Sequence, residues 1–447
     1  MNEVTKSLAN MSELQLLSEV MLKEAKRCGA DSAEINIGVN KGFNVTAREG
    51  DVETVEYNQD KSIEITVSFG KRSGSASLSD MRPEATRAAV EAACHIAKFT
   101  GEDPASGLAD KEELAFNYPQ LDLACPWAIS VEQAIELAVQ CEREAMAYDK
   151  RIMSAEASTV STIEALNLYA NSLGFMGVFA HTRHDMSCVL VAKQDDEMQR
   201  DYSYTVGVDP AQLKSISYIA QQAAERTIRR LGAKRLTTRK APVIFAAEEA
   251  RGLLGHFASA ISGGSLYRKS SFLLDSLGKK IFPNFISIDE QPYLPFALGS
   301  APFDSDGVAT RPNKFVEEGT LRSYSLDVYA ARKLGMKTTG NAGGMHNLTV
   351  TQGKKNLEEL LKMMGTGLLV TEMMGNGVNL VTGDYSRGVG GFWIENGVIQ
   401  FPVQEITIAG KLQEMYMRIA EVGSDVDLRG NIRTGSILIE EMMIAGE

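Results

Sequence analysis

Residues 241–281 read APVIFAAEEARGLLGHFASAISGGSLYRKSSFLLDSLGKKI. Pro242 to Phe245 is a short apolar run followed by small residues, the pattern of a buried strand. From Glu248 to Ile261, the residues Leu253, Leu254, Phe257, Ala258 and Ile261 recur at helical spacing. Glu248 and Glu249 fall in the first turn, where the helix dipole favours negative charge. Gly263-Gly264 is expected to stop the helix. A buried strand feeding a helix that opens on two carboxylates is a place where chemistry is commonly built. The other elements are read by their relation to it.

Upstream, Ser12 to Cys28 is predicted to be an amphipathic helix ended by Gly29. Alternating segments follow at Ala33–Gly38, Phe43–Arg48 and Val52–Tyr57, with a turn at Glu49-Gly50-Asp51. Ile63–Phe69 and Ser73–Leu78 form a further hairpin, and a helix spans Pro83–Phe99. Thr100 to Trp127, with Pro104, Pro119 and Pro126, is a surface linker or a loop framing a site. The order then repeats: a helix at Val131–Tyr148, a strand-rich meander at Met153–Val206, and a long helix at Gln212–Leu231. An internal duplication, 12–99 against 131–231, is expected from this order alone. Downstream of Arg239, glycine rises and short strands dominate. Turns are read at 304–307, 317–319 and 395–397, and helices at Ser325–Leu334, Leu357–Met364 and Leu412–Ala420. The fold class is α+β in two domains. Residues 1–235 hold antiparallel sheets flanked by helices; residues 236–447 hold short strands and a few helices.

Composition sets outer bounds. The 447 residues are 44% hydrophobic and 23% charged, an ordinary globular balance. A net charge of −12 argues against an extensive nucleic-acid surface. The start, MNEVTKSLANMSELQLL, lacks the basic and apolar regions of a secretion signal, and no apolar run reaches the ~18 residues of a membrane span. Cys28, Cys94, Cys125, Cys141 and Cys188 show no CxxC spacing and read as free thiols of a reducing compartment. A cytoplasmic location is expected.

No P-loop, GxSxG or HExxH occurs. The glycines of Gly388–Gly391 lack a strand-turn-helix setting for a dinucleotide and read as tight backbone packing. His181 and His184 lie three apart on an expected strand, hence on opposite faces, and read as solvated. His256 on the helix and His346 in TTGNAGGMHN are either cleft-lining or structural. Arg268 and Lys269 are candidates for holding a substrate carboxylate. Asp384-Tyr385-Ser386-Arg387 reads as a loop that frames a site or closes a turn by an Asp–Arg pair.

Residues 241–281, together with APFDSDGV, YAARKLGMKTTGNAGG, VTGDYSRGVGGFWIENG and PVQEITIAG, resemble the TldD/PmbA family, and within it the PmbA (TldE) branch. The resemblance implies a cytosolic subunit of a metal-dependent peptidase acting on peptides and unfolded proteins, with links to peptide-antibiotic maturation, antitoxin turnover and modulation of DNA gyrase. The TldD branch holds its metal, expected to be zinc, with an HExxxH helix and a later cysteine. In a partner of that branch the metal would polarise the scissile carbonyl and activate water, with a glutamate as base. In this chain the corresponding slots are filled by Glu248, Leu253 and Thr434, and Glu249 keeps the place of the catalytic glutamate. Leucine has no ligand atom and threonine is a poor zinc ligand. The histidine slots are five apart, roughly 140° around a regular helix.

The resemblance therefore implies no metal in this chain and a metal in a TldD-type partner of a heterodimer; the sequence leaves open whether the chain alone forms a homodimer. Peptide would be held along exposed strand edges. A stand-alone regulatory protein acting on gyrase or a toxin–antitoxin system is the alternative. A third reading places a metal on His256, Glu248 and Glu249.

Overall fold

The computed structural model describes residues 11–446. Residues 1–10, which begin the N-terminal stretch read above, lie outside them. Helix α1 (Met11–Arg27) leads into strands β1 (Ser32–Arg48), β2 (Asp51–Phe69) and β3 (Arg72–Leu78), then helix α2 (Pro83–Phe99). Helix α3 (Val131–Tyr148), strands β4 (Ile152–Asn171), β5 (Met176–Gln194) and β6 (Glu197–Gly207), and helix α4 (Ile216–Arg229) follow. Within the described residues these strands form one antiparallel sheet of six, ordered β3-β2-β1-β4-β5-β6.

β1 and β2 are each one long strand where the sequence suggested two. The polar stretch Asn40-Lys41-Gly42 does not break β1, because its backbone is paired with β2 on one side and β4 on the other. Gly42 is what lets the central pair close: a Cβ there would sit 2.0 Å from the Thr162 carbonyl oxygen.

The pleat sorts the sheet's residues onto two faces. Ile35 and Ile37 of β1 pack beneath α1 and α2, while Val45 and Ala47 pack beneath α3 and α4. All four helices thus cover one face. The other face meets the C-terminal half. There Tyr169 and Phe175 pack against Phe303, Val308 and Val328, with Ala109, Leu114 and Ala115 completing the cluster. The 100–127 segment is part of this joint: Leu114 bridges to Val308, and Arg332 donates to the carbonyls of Ala105, Gly107 and Leu108.

The C-terminal half is strand-rich, as expected. Strand β7 (Arg239–Phe245) feeds helix α5 (Ala247–Ala260). Gly263 begins a further short helix, α6 (Gly263–Tyr267), capped by Ser262, rather than only stopping α5. A Cβ on Gly263 would lie 2.4 Å from that of Ala330, so this glycine serves the contact between α6 and α7 (Val328–Leu334). Strands β8 (Ile288–Glu290), β9 (Asn313–Glu317), β10 (Thr320–Leu321), β11 (Leu348–Val350) and a later strand at Ile432–Arg433 make a small sheet.

Helix α8 (Leu357–Met364) precedes β12 (Gly367–Met374), β13 (Val378–Asn379), β14 (Asp384–Glu395) and β15 (Val398–Lys411); then come helix α9 (Leu412–Met417), β16 (Ile419–Val422), β17 (Ile432–Arg433) and β18 (Ile437–Ala445). The order β12-β7-β18-β15-β14 closes on itself, because β12 also pairs with β14. α5 packs Leu253, Leu254 and Phe257 into the core of this ring. The predicted helix ends shift by a few residues: Asp327 caps α7, and α9 yields to a strand at Ile419. The hairpin at Asn396-Gly397 is present, with both residues at positive φ (53° and 75°). Asp384–Arg387 and Gly388–Gly391 lie within strand β14 rather than in a loop. All five cysteines are free. Among the described residues no helix is long and apolar enough to cross a membrane.

The β1–β4 pair predicts its own sensitivity. Gly42→Ala should lower stability by about 1–3 kcal/mol, since a methyl group is forced onto a backbone carbonyl. Denaturant unfolding measures this, and an unchanged midpoint would show that the strands separate there without cost.

Candidate active-site helix and interfacial clefts

α5 starts without a side-chain cap, and Glu248 and Glu249 stand in its first turn, at the end where the helix dipole favours negative charge. The Glu248 carboxylate accepts from Arg226 of α4 at 2.9 Å, from Arg429 at 3.2 Å and from Tyr202 of β6 at 3.1 Å. The pattern continues outward. Asp201 of β6 pairs with Arg226 (3.2 Å) and Arg230 (3.5 Å), and Arg230 also reaches Glu372. Asp427 pairs with Arg429 (3.0 Å) and with Arg251 of α5 (3.3 Å). Arg251 donates to the Tyr204 hydroxyl at 2.9 Å, and Arg429 stacks over that ring at 4.3 Å. Arginines and carboxylates alternate, so each half-buried charge has an opposite neighbour. Burial pushes the Glu248 carboxyl up, but Arg226, Arg429 and Tyr202 outweigh it and hold it below the usual range. Asp427 is likewise held low, its arginines outweighing its burial. A cleft of about 510 Å³ opens beside the network, lined by Tyr204, Lys214, Arg226, Glu248, Asp427 and Arg429.

Glu249 differs from its neighbour. Its side chain makes no hydrogen bond among the described residues. Burial, then the charge of Glu248, raise its carboxyl to about 7 against the opposing pull of Arg226 and Arg387. Two turns further on, His256 meets the Tyr385 ring edge-on at 5.9 Å. Its Nε2 is buried without a partner, as is the Arg387 Nε. Burial, then Arg387, keep the imidazole neutral by lowering its pKa.

The three positions that the resemblance sets in metal-ligand slots do not fit a zinc ion. Leu253 is fully buried in the ring core, its carbonyl accepting from Tyr416 at 3.1 Å. The Thr434 hydroxyl is buried and donates to the Gly435 carbonyl. Glu248 is bound to two arginines. Among the described residues no three His, Cys, Asp or Glu side chains gather as metal ligands would, so Glu248, Glu249 and His256 do not form such a set.

Arg268 and Lys269 are exposed on the turn after α6, where Arg268 folds over Tyr267 at 5.1 Å; neither joins the α5 network. His184 is not solvated. It is fully buried, bonded to Thr162 (2.8 Å) and to the Cys125 carbonyl (2.8 Å), because its face of β5 is covered by the 100–127 segment. His181 lies on the opposite face, half-buried. Asp384 pairs with Lys411 across the β14–β15 ladder, not with Arg387.

Two clefts of about 710 and 590 Å³ lie between the six-stranded sheet and the loops 297–305 and 342–346. They share Asn167, Phe179, Ala301, Gly343 and His346 and so form one groove. Buried carboxylates hold its far wall. Asp304 accepts from the backbone N–H groups of Asp306, Val308 and Ala342, each at 2.9 Å. Glu290 accepts from the His346 N–H (2.6 Å), Asn341 (2.7 Å) and Asn313 (2.5 Å). Sequence reading missed this groove. The alternation of Ala33–Gly38 set Asn36 and Gly38 on one face, but neither what that face meets nor its continuation to Asn40.

Sequence models of the PmbA/TldA metallopeptidase family match domain 1 over residues 33–97, the central domain over 125–231 and the C-terminal domain over 238–446. The chain is 47% identical to metalloprotease PmbA of Escherichia coli O157:H7 over 94% of its length and 93% of the relative's. It is 44% identical to a metalloprotease PmbA homolog of Haemophilus influenzae over 98% and 97%. Among solved structures, a protein named as a candidate modulator of DNA gyrase from Bacteroides thetaiotaomicron superposes with a TM-score of 0.91 at 26% identity, covering 97% of this chain and 99% of that one. TldE from Thermococcus kodakarensis shares the fold, with a TM-score of 0.81 at 20% identity over 96% and 100%.

Glu249 sets a pH dependence. The unfolded chain releases this proton near 4.5, the folded chain near 7. Between those values the folded state binds more protons, so this residue's contribution to stability falls as pH rises through the window and is flat above it. Glu249→Gln should remove that fall, stabilising the protein at pH 8 relative to pH 5 by of order 1–3 kcal/mol compared with the unsubstituted chain. Unfolding at the two pH values measures it, and an identical pH slope in both proteins would contradict the assignment.

Proposed function

We propose that this chain, which belongs to the PmbA/TldD metallopeptidase family, is the non-metal subunit of a cytoplasmic heterodimeric peptidase that acts on peptides and unfolded proteins. The supporting observation is Leu253. The position that a second metal-binding histidine would occupy is part of the hydrophobic core, at 0% exposure. A polar ligand cannot be presented from there without leaving a cavity or an unpaired buried group. Glu248 is equally committed, since freeing it for a metal would strand Arg226 and Arg429. α5 thus keeps an active-site helix's position, and its polar side chains fasten β6 and α4 to the ring. In this reading chemistry belongs to a TldD-type partner, and this chain shapes the space through which peptide reaches it. The relatives' naming as metalloproteases supports the peptidase class.

The test uses untagged full-length chain, alone and with a TldD-type partner. A stable complex should form. Metal and chelator-sensitive cleavage of a fluorogenic peptide should be found only when the partner is present. Stoichiometric metal with chelator-sensitive cleavage by the lone chain would overturn the proposal. Failure to form a complex would favour a stand-alone regulatory role.

A further inference from the structure

The groove beneath the six-stranded sheet has an unusual floor. β1 presents Asn36, Gly38 and Asn40 to it, and Asn167 of β4 stands directly opposite Gly38. Asn36 and Asn40 make no side-chain hydrogen bond among the described residues, and the Asn167 amide has a single long contact, 3.4 Å to His181. Successive same-face residues of a strand are about 6.6 Å apart. Asn167 therefore sits one such step along the strand from Asn36 and one from Asn40, on the adjacent strand.

That step is also the repeat of an extended polypeptide, which turns an N–H and a C=O to the same side at every second residue. A carboxamide carries both an acceptor and donors, so each asparagine matches one such pair. Gly38 keeps the floor between them open. A Cβ there would already lie 2.8 Å from the Ser62 hydroxyl. Phe179 and Phe303 add apolar surface to the walls, while Lys61 and Glu64 at one end and Arg183 at the other give the rim no single sign of charge.

We propose that this groove binds polypeptide in extended conformation, by its backbone, along the direction of β1 and β4, with Asn36, Asn167 and Asn40 as the contacts that read every second residue. Recognition of this kind is indifferent to side-chain order, which suits unfolded substrates. The placement is on a sheet face and not along a strand edge. The inference rests on the peptidase-subunit reading for its substrate class, but the geometry belongs to this chain alone.

The probe is a fluorescein-labelled twelve-residue peptide of Ala, Ser, Thr and Val, titrated with the full-length chain and followed by anisotropy. The chain should bind it. Combined Asn36→Ala, Asn40→Ala and Asn167→Ala should weaken binding about tenfold or more. Gly38→Val, which adds bulk to the floor once the Ser62 hydroxyl turns aside, should weaken it similarly. N-methylation of the peptide at alternate residues should weaken binding in one of the two phases, whereas scrambling its sequence should change it little. No binding, equal binding by the N-methylated peptides, or unchanged affinity in folded variants would overturn the proposal. The N-methyl arm decides if a variant fails to fold. Asparagine-dependent binding by a chain that forms no complex with a TldD-type partner would sink the subunit reading and leave the groove standing. Complex formation with asparagine-independent binding would do the reverse.

Discussion

The antiparallel pairing of β1 with β4 is the constraint from which the architecture follows. It joins two helix–strand–helix units through their first strands and makes one sheet of them. With the four helices on one side, the sheet has a second, unhelical face that needs cover. The C-terminal half supplies it with the loops around Phe303 and His346. The cover is incomplete, and the groove is what remains open. A sheet ending at β1 would have exposed a long edge where its centre now lies.

A second joint fixes the end of the sheet. β6 and α4 are tied to α5 by alternating arginines and carboxylates, a pairing that tolerates partial burial only while every member is present. The apolar cluster at Phe303 lies on the unhelical face, whereas the charged network at Glu248 wraps the β6 edge to reach α4 on the helical side. One supplies most of its attraction from buried area, the other sets orientation. Glu249 belongs to neither and carries the cost of its burial and, after that, of its place beside Glu248.

Local pattern made much of this visible. The alternation of β1, the helical period of α5, the Asn396-Gly397 turn and the strand-rich meander after Met153 each follow from spacing of two or 3.6 residues. What local pattern hid was partnership. Asn40-Lys41-Gly42 looks like a break until strands lie on both sides of it. His184 looks solvated until the 100–127 segment covers it. Arg226 and Arg429 are ordinary surface arginines in the sequence, and only the fold brings them to one carboxylate from positions 22 and 181 residues away. The family resemblance located the slots of Glu248, Leu253 and Thr434; the fold showed that all three are engaged in other contacts.

Leu253 has a historical consequence. A ligand position left facing solvent is open to reversal by one codon change. Here the Leu253 side chain is part of the packing that stabilises the ring, Glu248 is locked by two guanidinium groups, and Thr434 is buried. Each single step back toward a metal site would weaken the fold before any ion could repay it. The fold therefore acts as a ratchet: the packing around helix α5 would have to loosen before its positions could take on another duty.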